Sequence, residues 1–298
     1  MPDNTPPPPQ ATEAKTQDDG WRPNLGDLRA RLDEIDDKIH DLLIARARVV
    51  EGVARSGKTA AFRPGREAAI LRRLVARHTG QLPARTLVRM WREMLAGTTG
   101  MQSPVTVAAA GPEAIAAIAR EHFGALTPVV PKASVVAALD AVRTGLATVA
   151  VIPFPGDASI WAALTQGAPR LYVIARLPFW TARPGNVPMA DAIVIGTTAP
   201  DASGDDRSFI AHAGLANPGL ANPGLANPGL ANPGLANPGL ANPGLANPGL
   251  AIPGAMAALA THGAIAEVAG MIAGDDPRLP QGAIVLGGYA VPIAGDTP

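Results

Sequence analysis

Apolar side chains recur at three- and four-residue steps between Leu25 and Lys58: Leu28, Leu32, Ile35, Ile39, Leu42, Leu43, Val49, Val50 and Val53. That spacing lays a stripe along one side of an amphipathic helix. Asn24 and Asp27 are candidate caps, since both side chains can accept from free first-turn amides and an acidic group suits the positive end of the helix dipole. At about 1.5 Å of rise per residue the helix would be on the order of 50 Å long, more than one small domain covers. Arg29, Arg46 and Lys58 stand on the other side as a sparse row of cations. A long apolar seam with cations beside it predicts a shared helical bundle that holds a small anion.

Two shorter helices follow. Arg66 to Thr79 is entered through Pro64-Gly65 and ends at Gly80, with Ala69, Ile70, Leu74 and Val75 as its expected apolar side. Ala84 to about Gln102 is entered after Pro83, with Leu87, Val88, Trp91, Met94 and Leu95 as its stripe. Two short helices cannot cover the whole seam of the long one, so a second copy of the chain is the expected cover.

Several function classes are excluded early. The chain has no cysteine, so disulfide frameworks and thiolate chemistry are out. Cations are interleaved with apolar helix positions, and aromatics make up only 4 %, too few for base-stacking platforms, so no nucleic-acid partner is expected. No apolar run nears the roughly 18 residues that span a bilayer. Residues 1–23 are polar and Pro-rich, with PPPP at Pro6–Pro9, and read as a disordered tail without a hydrophobic signal core. A cytoplasmic protein without a membrane partner is the expectation.

Gly52-Val53-Ala54-Arg55-Ser56-Gly57-Lys58-Thr59 matches the phosphate-loop pattern GxxxxGK[ST]. That loop works between a strand and a helix, where backbone amides point at phosphate. Here a charged amphipathic helix precedes it, and Phe62-Arg63-Pro64-Gly65 breaks the chain just after. A helix C-terminus capped at Gly57 is the competing reading; nucleotide binding stays as a third alternative.

Three separated patterns then combine: L-R-x-x-L-x-x-I-D-x-x-I-x-x-L-L-x-x-R from Leu28 to Arg46, P-x-R-E-x-x-I-L from Pro64 to Leu71, and T-x-x-x-Q from Thr98 to Gln102. In order and spacing they resemble the all-helical class of chorismate mutases, over about eighty residues. The resemblance implies three-helix protomers intertwined as a homodimer, with chorismate rearranged to prephenate without a cofactor or metal. It also implies roles. Arg29 from the partner protomer and Arg46 from the same one would each hold a substrate carboxylate. Lys58 and Gln102 would flank the ether oxygen. Glu67 would accept from the substrate hydroxyl, with Arg66 beside it and Thr98 nearby. These residue types suit an intramolecular reaction: bidentate arginines fix a compact conformer, and cationic or amide donors stabilise charge growing on oxygen. Two positions depart from the family. Alignment from Arg46 puts the family's lysine at Gly57, one before Lys58, and Arg63 stands where an Asp is frequent.

From Val105 the texture changes to short Val/Ile/Ala runs alternating with helical stretches, which predicts an α/β domain over 104–203. GPEAIAAIAREHFG, a lysine–serine helix entry and GLATVAVIPFP resemble the substrate domain of prephenate dehydratase. The Thr-Arg-Phe signature of that family is absent near Ala190–Val194, so the copy reads as degenerate and without dehydratase activity. GLANP then repeats in seven identical copies from Gly214 to Pro248, with an eighth, GLAIP, to Pro253. Pro and Gly in every unit oppose helix and ladder continuity, and the repeat is expected to be a dispensable mobile loop. The dehydratase family ends in an ACT regulatory domain with N-P-G-A-L opening a helix, which Pro253–Leu259 resembles. Residues 204–298 are therefore expected to form a small α+β ACT-like region interrupted by the repeat at 214–253, with strands in Ile265–Ala273 and Ala283–Ile293. The E-S-R-P element of that family is absent, and only Glu267 stands near its place. An aromatic amino acid is the effector this implies. The sequence thus supports a mutase in phenylalanine and tyrosine biosynthesis. The alternative is a catalytically weak regulatory protein of that pathway.

Overall fold

The computed structural model describes residues 24–56, 62–156, 158–183, 190–212, 258–262 and 265–295. The Pro-rich tail, the GLANP repeat, and Lys58 with the end of the phosphate-loop pattern lie outside the described residues. The chain divides into two compact units, with the boundary between Val50 and Glu51 inside the first helix.

Three helices open the described chain: α1 (Leu25–Arg55), α2 (Pro64–Arg77) and α3 (Ala84–Gln102). Asn24 caps α1, its Oδ1 accepting from the Asp27 amide at 3.0 Å while its Nδ2 donates to Asp27 Oδ2 at 2.8 Å. No side chain of α1 is buried, and Leu32, Ile39 and Leu42 are 58 %, 46 % and 70 % exposed. The expected seam is therefore open in the single chain.

The sequence misplaces the inner face of α2. Glu67, Ala68 and Leu71 are buried, whereas Ala69 is exposed. The reason is what covers the helix. Ala68 and Leu71 pack with Val88 of α3 and with Phe179, Trp180 and Ala290. A buried carboxylate is counted as polar by any hydropathy pattern, so the pattern rotated the face away from it.

The remaining elements form one nine-stranded sheet. Its strands are β1 (Val107–Ala110), β2 (Val129–Lys132), β3 (Val149–Pro153), β4 (Tyr172–Leu177), β5 (Ala192–Gly196), β6 (Asp206–Ala211), β7 (Ala258–His262), β8 (Ile265–Ala269) and β9 (Ile284–Ala290). Their order is β2-β1-β3-β5-β4-β9-β6-β8-β7. β1 runs parallel to β2 and β3, while β5 is antiparallel to β3 and β4. Helices α4 (Glu113–Phe123), α5 (Val135–Arg143) and α6 (Ala158–Thr165) cover this part. Strand alternation sorts the two cores. Val107, Val149 and Val151 pack with Ile115, Ile118 and Phe123 of α4. Ala108, Ala150 and Ile152 pack with Leu139, Val142, Trp161 and Leu164 of α5 and α6. Both faces are covered, which is why these strands read as unbroken apolar runs.

The last four strands are antiparallel in the order β9-β6-β8-β7. They join the rest through the parallel pairing of Val173 in β4 with Gly287 in β9. Gly287 has φ of +110°, and a Cβ there would overlap the Val173 backbone, so glycine permits the junction. The boundary expected at 203/204 thus falls within one continuous sheet. Ala258 and Leu259, the end of the stretch read as opening a helix at Pro253, belong instead to strand β7, paired from Ala258↔Val268 to His262↔Ile265. The free edge of β8 supplies ladder partners that local propensity cannot anticipate.

Candidate active site

The α2–α3 pair places one acid at its centre. Glu67 sits one turn into α2, and Arg92 faces it from α3, Nη1 to Oε2 at 3.0 Å. Burial lowers the Arg92 guanidinium to about 10, although Glu67 and Glu121 hold it up. Its guanidinium also lies over the Phe179 ring, 4.8 Å from the centroid, a favourable cation–π geometry. His122 of α4 completes the cluster. It is buried edge-on to Phe123, and neither ring nitrogen has a hydrogen-bond partner among the described residues. Burial, and then the Arg92 charge, push its pKa well below the usual histidine value. The imidazole is neutral there.

Thr98 and Gln102 lie one turn apart at the end of α3. The Thr98 hydroxyl donates back to the Met94 carbonyl at 2.9 Å, and Gln102 Nε2 donates to the Thr98 carbonyl at 3.4 Å. Glu67 and Gln102 line two neighbouring cavities, to both of which Phe62 and Val105 contribute. Arg66 is exposed on α2. On α1, Arg29 is exposed and Arg46 is half-buried. Lys58 lies outside the described residues.

Arg63, the departure from the family pattern, is engaged. Its Nε donates to Asp201 Oδ2 at 2.7 Å, and that bond raises its pKa. Nearby Arg72 donates to the Ser203 hydroxyl at 2.7 Å and to the carbonyls of Asp205 and Val291. The 197–205 loop is thereby fastened to α2.

Sequence reading missed Arg92, Arg72 and His122. A signal existed for Arg92. Val88, Arg92, Leu95 and Thr99 are the buried positions of α3, at steps of four, three and four. A lone arginine inside a buried helical stripe is the mark of a paired internal charge.

The sheet carries its own polar network. Arg176 contacts Asp191 at 3.6 Å and donates to the Tyr289 hydroxyl at 3.1 Å. That hydroxyl donates to Glu267 Oε1 at 2.6 Å, which also accepts from Arg207 at 2.7 Å. Burial, with the Glu267 charge, pushes Tyr289 up to about 12. Glu267 is thus committed inside the sheet.

Residues 28–103 match the family described as chorismate mutase type II, and residues 212–254 match pentapeptide repeats in eight copies. Two curated relatives, from Stutzerimonas stutzeri and Pseudomonas aeruginosa, are each a bifunctional chorismate mutase/prephenate dehydratase. They are 33 % and 32 % identical over 137 and 136 residues, covering 42 % of this chain and 37 % of theirs. The chain therefore spans less than two fifths of the length of these relatives. Among solved structures, the prephenate dehydratase from Arthrobacter aurescens in complex with L-Phe is similar at 15 % identity, over 64 % of this chain and 93 % of that one, with a TM-score of 0.34. The prephenate dehydratase from Streptococcus mutans is similar at 14 % identity, over 39 % and 64 %, with a TM-score of 0.27. The segment carrying Arg29, Arg46, Arg66, Glu67, Thr98 and Gln102 is a chorismate mutase type II domain.

Proposed function

We propose that this chain is a homodimeric chorismate mutase acting in aromatic amino acid biosynthesis, without cofactor, in the cytoplasm. The family match over 28–103 carries the reading. The reaction breaks one ether C–O bond and forms one C–C bond within a single molecule. Catalysis therefore comes from holding a compact conformer and stabilising negative charge on the ether oxygen. Arg29 and Arg46 hold the two carboxylates. Lys58 and Gln102 donate to the ether oxygen. Glu67 accepts from the substrate hydroxyl, Arg66 supports it, and Thr98 orients the Gln102 end of the site. The open seam of α1 favours a second copy as its cover. No helix among the described residues is long and apolar enough to cross a membrane.

The test is ultraviolet loss of chorismate on adding full-length protein, without nucleotide or metal. No loss above the uncatalysed rate overturns the mutase. Dehydration of prephenate is not part of this proposal, because the Thr-Arg-Phe signature expected near Ala190–Val194 is absent. Phenylpyruvate formed at neutral pH above the acid-catalysed background would contradict that.

One observation favours a second reading, a weak or regulatory mutase with an ACT-like tail. Glu67 is tied to Arg92 and Arg63 to Asp201, so two positions on the substrate side of α2 are already occupied. A turnover number far below that of a free mutase domain, responding to an aromatic amino acid, would select it.

A further inference from the structure

A small crevice lies where α3, α4 and the chain just after β4 meet. Its walls carry Arg85, Arg89 and Arg92 of α3, His122 of α4, and Phe179 with Trp180. None of the candidate catalytic residues lines it. Its free volume is about 20 Å³. A single water needs roughly 10–15 Å³ by the same measure, so the crevice has room for one small particle.

The helical repeat sets the three arginines together. Steps of four and three residues put Arg85, Arg89 and Arg92 on one side of α3. Their surroundings differ. Arg92 is buried and paired with Glu67 at 3.0 Å. Arg89 is exposed and Arg85 half-buried, and among the described residues neither makes a hydrogen bond or an ion pair. Glu121 is the acid in the wall, and it is already matched. Arg183 donates to both of its carboxylate oxygens, at 2.9 and 3.1 Å. Each acid is thus offset by its own arginine, and Arg85 and Arg89 stand as surplus positive charge.

His122 adds a donor. It is 7 % exposed, and neither ring nitrogen has a hydrogen-bond partner among the described residues. A neutral imidazole keeps one N–H, and a buried donor left unmade is costly. His122 also lines the smaller cavity beside Glu67 and Thr99. One water in either cavity could accept from the ring, but it would leave the surplus charge as it is. An anion answers both needs, accepting from the imidazole and drawn by the arginines. Phe179 and Trp180 are buried at its side and keep solvent from screening those contacts. Volume selects the kind of anion. A halide fits whole, whereas sulfate or phosphate would keep most of its oxygens outside.

We propose that this crevice binds a single chloride ion between His122 and the Arg85–Arg89 pair. The site bridges α3 and α4 and does not depend on mutase activity.

The experiment is the chloride magnetic-resonance line width of a sodium chloride solution on adding full-length protein, with bromide and sulfate as competitors at equal ionic strength. Excess broadening is expected, displaced by bromide and much less by sulfate. His122→Leu and Arg85→Gln/Arg89→Gln are each expected to weaken chloride binding by at least about tenfold, with folding checked by circular dichroism. The double variant changes no fully buried position and decides the matter if His122→Leu does not fold. No excess broadening, equal displacement by sulfate and bromide, or unchanged binding in the folded variants would each overturn the proposal and leave His122 to a water molecule.

Discussion

The helix α1 and the pair α2–α3 belong to one family-matched segment, yet they meet opposite fates in the chain. α1 is 31 residues long and buries none of them. α2 and α3 are shorter and bury an ion pair, Glu67 with Arg92, beneath Phe179 and Trp180. Both regions are amphipathic. Amphipathicity says that a face must be covered, and it does not say by what. α2 and α3 find their cover within their own compact unit, whereas α1 presents Leu28, Leu32, Ile35, Ile39 and Leu43 to solvent. An exposed row of that length is a strong driver of association.

The largest expected effect tests the closed half of this contrast. Arg92→Leu should remove the buried guanidinium that faces the Glu67 carboxylate, at a cost of about 3–5 kcal/mol. Urea denaturation monitored by tryptophan fluorescence measures it. Recovery in Glu67→Met/Arg92→Leu would locate the cost in the buried Glu67 charge, and a midpoint unchanged by Arg92→Leu would mean that the pair is not buried in solution.

Next come the proposed site positions on either half. Arg46→Ala on α1 and Gln102→Ala on α3 should each lower chorismate turnover by about 10²–10³, the usual loss for a donor to a developing oxyanion, about 2.7–4 kcal/mol. Arg31→Ala on the solvated side of α1 serves as the control. If only the α3 variant is impaired, the cations of α1 do not contribute to the site.

The open half is tested by Ile39→Glu. A side chain covered by a second copy loses about 1.5–3 kcal/mol of burial on each protomer, before the cost of the added charge. Sedimentation should show dissociation at concentrations at which the parent protein associates. An equally monomeric parent protein would remove the dimer from the proposal.

The smallest effect is a pH dependence of the closed half. His122 faces the Arg92 guanidinium, with Glu67 paired to that guanidinium and Glu121 paired to Arg183 beside it. Its folded pKa lies well below its ordinary value. The unfolded chain therefore takes up the proton first as pH falls. The stability from a neutral His122 is complete above pH about 6.5 and declines below it by up to about 1.4 kcal/mol per pH unit. Comparing urea midpoints at neutral and mildly acidic pH in the parent protein and in His122→Leu isolates this slope from that of the carboxylates. Equal slopes would mean that the imidazole reaches water in the folded state.

Much of the architecture was legible because it is local. Asn24 and Asp27 announce the start of α1, and Pro83 that of α3. Short apolar runs between helical stretches announce β1, β3 and β5. The identity of the mutase segment was legible for a different reason. Its match rests on the order and spacing of separated positions along 28–103, and those can be read directly from the chain.

Tertiary structure alone decided the rest, because it depends on which surfaces meet. The inner face of α2 turned to Glu67 and Leu71 once Phe179, Trp180 and Arg92 were there to receive it. Ala258–His262 became a strand because β8 offered an open ladder. The two strand sets became one sheet because Gly287 lets β9 approach Val173. The Arg63–Asp201 pair joins residues 138 positions apart in the chain. Hydropathy and spacing report what each segment needs buried or bonded. Only packing selects the partner, since contact energies between distant segments leave no periodicity in the sequence of either one.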